Sequence, residues 1–238
     1  MNKVVFITPM YNAGPHLPEL FNSLFEQSNQ NWEQIVIDDM STDDSYNIAM
    51  SYHKKDNRIT VIKNNEKKWA LRNVVEQSRK FEKDEVIIAI LDADDCLCNE
   101  QTVGMLIEKY AEDDENDCVW TGHTWDINNL NISRKFPDGR KINPYQYPWC
   151  SSHLKTYRSS LLFDIKDENF KDLDNNWFQR GYDQALYLPL LYKSRKINYM
   201  DEICYFYRIN SSSVTSRDWK EQNQLNTVKL VRARGFVE

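Results

Sequence analysis

Residues 86–95 read VIIAILDADD, six apolar side chains followed by Asp92, Asp94 and Asp95. A run apolar over its whole length is the pattern of a strand buried on both faces, as in the middle of a parallel sheet. The carboxylates then fall where the strand leaves the sheet, and in open α/β sheets ligands bind outside the carboxyl ends of the strands. Three carboxylates so close repel one another unless a cation lies between them. The stretch therefore predicts a divalent metal site and, with it, a phosphate-bearing ligand.

Strand–helix alternation extends in both directions from this stretch. Upstream, Val4–Ile7 is a short buried strand that Pro9 is expected to end. Gly14, Pro15 and Pro18 mark a turn and a helix start, and Leu17, Leu20, Phe21, Leu24 and Phe25 follow at helical spacing. Ile35–Ile37 runs as a strand into Asp38 and Asp39. Ser41 with Asp44 resembles a capping box for a helix carrying Ile48, Ala49 and Tyr52. Ile59–Ile62 is a third strand, and Ala70, Leu71, Val74 and Val75 form one helix face. This order predicts a doubly wound α/β sheet, mostly parallel, with helices on both faces.

Downstream, Val103, Leu106, Ile107 and Tyr110 give another helix and Cys118–Thr121 a strand. From His123 to Trp149 there is no clean period. Thr156–Phe163 and Asp183–Tyr192 read as helices, the second interrupted by Pro189. Ile197–Met200 and Ile203–Tyr207 read as two late strands, and the tail after Trp219 is polar with a basic end (Lys229, Arg232, Arg234). Without repeat or linker, the 238 residues are expected to form one domain with two functional halves, 1–98 and a smaller α+β half, 99–238.

The net charge of −6 argues against nonspecific nucleic-acid binding. Five irregularly spaced cysteines fit free, buried or half-buried thiols in a reducing compartment better than a zinc site. No stretch approaches the ~18 apolar residues of a membrane span, and the N-terminus lacks a signal-peptide core, so a cytoplasmic location is expected. There is no G-x-G-x-x-G and no Walker sequence, so phosphates are expected to be neutralised by a metal held by carboxylates, with Arg or Lys. Acidic residues after strands also cap helices; two clusters on one sheet edge, Asp38–Asp39 and Asp92/Asp94/Asp95, favour a site.

TPMYN (8–12), VIDDMSTDDS (36–45), ALRN (70–73), LDADD (91–95), GYDQAL (181–186) and YRINSSSVTS (207–216) stand in the order of the motifs of family 2 inverting glycosyltransferases, which have the Rossmann-like GT-A fold. The chain resembles that family over about residues 3–216. The resemblance implies a sugar transfer from a nucleotide-diphosphate sugar, UDP favoured on family frequency, to an acceptor hydroxyl of a glycan, lipid-linked sugar, protein or nucleobase. It implies Mn²⁺ or Mg²⁺ held by Asp94 and Asp92, with Asn210 where the family often has a histidine. Pro9, Tyr11 and Asn12 would line the nucleotide pocket. Asp38 and Asp39 would meet base or ribose, Arg72 base or pyrophosphate, and Asp95 the donor sugar. Arg208 and Ser212 would close over the diphosphate, and Asp183 would be the general base. The family often has Glu before this Asp; here it is Tyr182. Residue chemistry agrees with these roles, since a carboxylate can take the acceptor proton while a divalent ion stabilises the leaving diphosphate.

Three further readings stay open on sequence. His123 and His153 either line the site or are packed. Lys155 and Arg158 either meet a charged acceptor or form a solvated basic face. The aromatics Trp120, Trp125, Tyr145, Tyr147, Trp149, Trp177 and Tyr182 are sugar platforms or core. The competing functions are a sugar-1-phosphate nucleotidyltransferase, which would carry a glycine-rich loop where TPMYN stands, and a non-catalytic nucleotide-sugar-binding module.

Overall fold

A computed structural model describes residues 3–81, 86–137, 142–209 and 217–238, with backbone alone for 217–221. The predicted alternation is present: β1 (Val4–Met10), α1 (Leu17–Phe25), β2 (Trp32–Asp38), α2 (Ser45–His53), β3 (Ile59–Lys63), α3 (Trp69–Ser78) and β4 (Ile87–Ile90). β5 (Cys96–Leu97), α4 (Thr102–Ala111), β6 (Asn116–Trp125), β7 (Lys155–Arg158), α5 (Tyr182–Lys193), β8 (Lys196–Tyr207) and α6 (Arg217–Arg234) follow. The strands form one sheet in the order β3-β2-β1-β4-β7-β6-β8-β5. β1 to β4 are mutually parallel, and β7 enters antiparallel between β4 and β6.

Alternation along the strands sends side chains to two cores. Val5, Ile7, Ile35, Ile37, Ile88 and Ile90 pack with α3 and α5, and Val231 of α6 joins them. Val4, Phe6, Val36, Ile87 and Ala89 pack with α1, α2 and α4. All four residues of β4 are buried, as the double coverage requires.

Several local expectations fail for identifiable reasons. β1 runs on through Pro9 to Met10: β4 pairs only as far as Ile7, so beyond it one flank of β1 is open and a missing N–H is tolerated there. Ser41 caps nothing. The helix starts later, at Ser45, and Ser41 Oγ instead accepts the Asn12 N–H at 3.0 Å. Lys155–Arg158 is a strand rather than the start of a helix, because Thr156 and Tyr157 fill the slot between Ala89 and Ile88 on one side and Val119 and Cys118 on the other. Only Ser159–Leu162 turns, as a 3₁₀ segment. The two late strands are one, β8, with a bulge opposite Gly122, where a Cβ would lie 3.0 Å from the Glu202 carbonyl. Pro189 does not shorten α5, since Ala185 to Leu191 are all buried and packing holds the helix across it. The polar tail is α6, and its basic end is not a solvated cluster. Arg232 donates to the carbonyls of Tyr145 and Tyr147 at 2.9 and 2.8 Å, and Arg234 to that of Lys171 at 2.6 Å. The five cysteines are unpaired; four are buried, and Cys98 is exposed against expectation.

Candidate active site

Parallel strands end on one edge, so both acidic clusters lie there, with β1 between their strands. At the end of β4 the side chains diverge in use. Asp95 is buried: its carboxylate accepts Tyr205 Oη–H at 2.7 Å and the Arg208 N–H at 2.7 Å. Burial, with Asp94 and Asp92 nearby, raises its pKa well above the ordinary carboxylate range. Both Asp95 oxygens are thus engaged inside the fold. Arg208 is held to the same loop, its Nε donating to the Asp94 carbonyl at 2.9 Å and its guanidinium to Glu19 at 2.7 Å. Asp94 is half-buried beside them.

Asp92 instead faces the C-terminal half. Its Oδ1 accepts the Tyr182 hydroxyl, and its N–H donates to Tyr205 Oη at 3.2 Å. Tyr182 opens α5, after Gly181 in the left-handed conformation at φ +65°, and that turn delivers Asp183 to the same place. Ligating atoms of Asp92, Asp183 and His153 lie within 4.8 Å of one another. Lys155, fully buried on β7, donates to Asp183 Oδ1 at 2.6 Å and to His153 Nδ1 at 3.1 Å. His153 stacks on Tyr205 and Tyr207 at 4.7 and 4.8 Å. Burial and the Lys155 charge push its pKa well below normal, so it is a neutral acceptor. His123 is likewise packed, with its pKa lowered to about 4 mainly by burial. Asp92 is pushed up to about 7 by burial; the charges of Asp183 and Asp94 add to this, against Lys155 and the Tyr182 hydrogen bond.

The second cluster is built differently. Asp39 Oδ1 accepts the Lys68 N–H and Asn64 Nδ2 at 2.9 and 2.8 Å, and Oδ2 accepts the Trp69 N–H at 2.9 Å. These bonds lower its pKa against the opposing effect of burial, and they make Asp39 the clamp on the start of α3. Asp38 is buried; Oδ1 accepts the Ser41 N–H at 3.1 Å, while Oδ2 has no partner among the described residues. Asn12, at φ 53°, ties its loop to Thr42 at 2.8 Å. Tyr11 is 52 % exposed with Lys67 Nζ 3.0 Å over its ring. Pro9 is half-buried in β1. Arg72 stands apart from both clusters in its bonding: it pairs with Glu76 at 2.7 Å and Glu66 at 3.3 Å on its own segment. Asn210 and Ser212 lie outside the described residues.

Lys155 and His153 as neighbours of Asp183, and the bond from Tyr182 to Asp92, were not legible in the sequence. The signal for the last was the Tyr standing where the motif often has Glu. Arg158 also leaves the solvated-face reading, donating to the carbonyls of Asn116, Tyr110 and Asp113. The carboxylates of Asp92 and Asp94 fit a hard divalent cation: they are oxygen donors at one strand end, and the charges of Asp183 and Asp94 add to the burial that raises the Asp92 pKa. A shallow depression of about 470 Å³ against α4 contains none of these residues in its lining.

The model of a family described as Glycosyl transferase family 2 matches residues 5–185. The UDP-Glc:alpha-D-GlcNAc-diphosphoundecaprenol beta-1,3-glucosyltransferase WfgD of Escherichia coli is 29% identical over 227 residues, covering 92% of this chain and 81% of that protein. Among solved structures, Staphylococcus aureus TarS 1-349 in complex with UDP superposes with a TM-score of 0.66 at 19% identity, over 99% of this chain and 67% of that one. The mannosyltransferase PcManGT from Pyrobaculum calidifontis in complex with GDP-Man and Mn²⁺ gives 0.64 at 16% identity, over 95% and 62%. These likenesses establish the GT-A fold.

Proposed function

The chain belongs to glycosyl transferase family 2, and from that premise we propose that it is a divalent-metal-dependent inverting enzyme that moves a sugar from a UDP-sugar to an acceptor hydroxyl. The observation that carries the reading is the convergence of Asp92, from the end of β4, with Asp183, from the start of α5. Carboxylates from the two parts of the chain face one point, as a single displacement needs: a base on one side of the anomeric carbon and charge stabilisation on the other.

Asp183 is the general base. Lys155 holds its Oδ1, which fixes the carboxylate and leaves Oδ2 to accept the acceptor hydroxyl proton. Its contribution is position: the bond to Lys155 fixes where the carboxylate stands relative to the acceptor hydroxyl. Asp92 and Asp94 would hold Mn²⁺ or Mg²⁺, with Asn210 as a further oxygen ligand. When bound, the ion supplies Lewis-acid stabilisation of the departing diphosphate. Tyr182 keeps Asp92 at the seam between the parts. Tyr11, Asn12, Pro9 and the unpartnered oxygen of Asp38 would form the nucleotide pocket, Arg72 would turn from its glutamates to the donor, and Arg208 and Ser212 would cover the diphosphate. Asp39 acts on the donor through the loop it clamps.

A glycan or lipid-linked sugar is the acceptor class, by likeness to the lipid-linked acceptor named for WfgD. No helix among the described residues is long and apolar enough to cross a membrane. Unpaired thiols accord with work in a reducing compartment, the cytoplasm. Residues 1–98 serve the donor and 99–238 the acceptor and base.

The test is Asp183→Asn assayed with UDP-glucose, UDP-galactose, UDP-N-acetylglucosamine and GDP-mannose plus Mn²⁺. Transfer and slow donor hydrolysis should fall at least a hundredfold, while UDP affinity changes less than threefold. A comparable loss of UDP affinity would remove Asp183 from the base role.

A further inference from the structure

Just before Gly181 the chain borders a cleft of about 360 Å³ between the 172–180 segment and α6. Gly181 packs against α6 so closely that a Cβ would lie 3.2 Å from the Gln224 carbonyl. Trp177 and Phe178 line one side, and the amides of Asn176, Asn223 and Asn226 are spread around the wall. Trp177 is stacked on Phe170, their rings 6.1 Å apart with an interplanar angle of 2°, so its plane is fixed. The Lys171 ammonium also lies over the Trp177 ring, 5.6 Å from its centre, so the cleft offers an aromatic plane, amides and a cation, a chemistry that suits a sugar carrying polar or anionic groups.

Arg180 makes the cleft unlike an ordinary polar hollow. Its Nε is buried and has no hydrogen-bond partner among the described residues. Its guanidinium lies 5.3 Å over the Trp69 ring, on the side of Lys67, another cation. Burial lowers its pKa, and no acid among the described residues offsets the effect. The acid in the cleft lining, Asp172, has its Oδ1 taken by the N–H groups of Asp174 and Asn176, both at 2.9 Å. A part-buried cation without a counter-charge is costly to keep, and a planar guanidinium matches a carboxylate or phosphate in two-pronged fashion.

We propose that this cleft is the acceptor subsite and that Arg180 selects an acceptor sugar carrying an anionic group, a carboxylate or a phosphate. The inference rests on the glycosyltransferase reading above, since Arg180 precedes the base by three residues along the chain and only Gly181 and Tyr182 stand between the cleft-lining segment and Asp183. A donor diphosphate is the less favoured occupant: the cleft is walled by α6 and the 172–180 segment, and the Asp38, Tyr11 and Asn12 cluster is not in its lining.

Binding of three disaccharide probes in the presence of UDP and Mn²⁺, measured by calorimetry, tests the assignment. One probe is neutral, one carries glucuronate, and one carries a sugar phosphate. At least one anionic probe should bind tenfold or more tightly than the neutral one, and the two arms tell carboxylate from phosphate. Arg180→Gln should erase that preference, Arg180→Lys should keep part of it, and UDP affinity should stay within twofold in both. A thermal melt of each variant checks folding, and the wild-type preference alone already decides if Arg180→Gln does not fold. Equal affinity for all probes, or a tenfold loss of UDP affinity in Arg180→Gln, overturns the proposal. Failure of the underlying reading looks different: wild-type protein would then neither bind UDP nor hydrolyse any nucleotide sugar.

Discussion

Lys155 is the side chain on which most of the local chemistry turns. Its ammonium has no exposure and serves Asp183 and His153 at once. Lys155→Met should lower stability by about 2–4 kcal/mol, read from denaturant unfolding, because it strands a carboxylate and an imidazole in a confined space. It should also cut transfer at least a hundredfold with a smaller effect on UDP affinity. Asp92 sets a pH dependence of the opposite sign to a usual paired carboxylate. Its folded pKa, about 7, is above the ordinary value near 4. The folded state thus holds a proton that the unfolded state has lost between those values, so metal-free stability contributed by Asp92 is full below about pH 4 and declines towards pH 7. A divalent ion competes with that proton. The rise in melting temperature on adding Mn²⁺ should therefore grow from pH 5.5 to pH 7.5; a shift independent of pH would separate Asp92 from the metal. The residue types of this site were legible in sequence, since a D-x-D after a buried strand and an Asp opening a helix both announce themselves. Lys155 was not, because a lysine two residues from a histidine carries no pattern, and only the pairing of β7 beside β4 turns it inward.

At the scale of elements, the turn before α5 decides where Asp183 stands. Gly181→Ala should cost about 1–2 kcal/mol from its left-handed backbone alone, with more from the nearby Gln224 carbonyl. It should also lower transfer by displacing Tyr182 and Asp183 together, visible as a drop in melting temperature alongside reduced turnover. Elements with a strong period were readable: α1, α3, α4 and the buried strands β1, β2 and β4 follow directly from apolar spacing. Misreadings came where tertiary context outweighs local pattern. Thr156–Phe163 has apolar spacing that suits a helix, yet an unfilled sheet position took its first residues as a strand. Two apolar runs separated by Asp201 and Glu202 look like two strands because a bulge shifts the register by residues that do not alternate.

For the whole molecule, the continuous sheet joins the two parts of the chain into one body, and α6 packs on the second. Val231 is buried, and Arg232 and Arg234 fasten the helix to loops at Tyr145, Tyr147 and Lys171. Ending the chain after Ser216 should lower the melting temperature by more than 10 °C and abolish transfer. UDP binding should survive in whatever fraction stays folded, since β1 to β4 keep their helices. Loss of UDP binding in folded material would show that the parts do not divide the work as proposed. The general architecture was legible from the strand–helix order. The role of the tail was hidden because its polar composition conceals the few residues, Val231 and two arginines, that bind it to the rest.

The place of β7 has one more consequence, for the order of events as the chain is made. β4 pairs with β1 on one side and with β7 on the other, yet everything from Leu91 to Leu154 must emerge before β7 exists. At about 5–20 residues per second of synthesis, the apolar flank of β4 waits for several seconds as an unprotected edge. A nascent protein in that interval is a natural client for a holdase chaperone. Newly made protein should therefore aggregate most when translation is slowed between residues 91 and 154, and much less when it is slowed after Arg158.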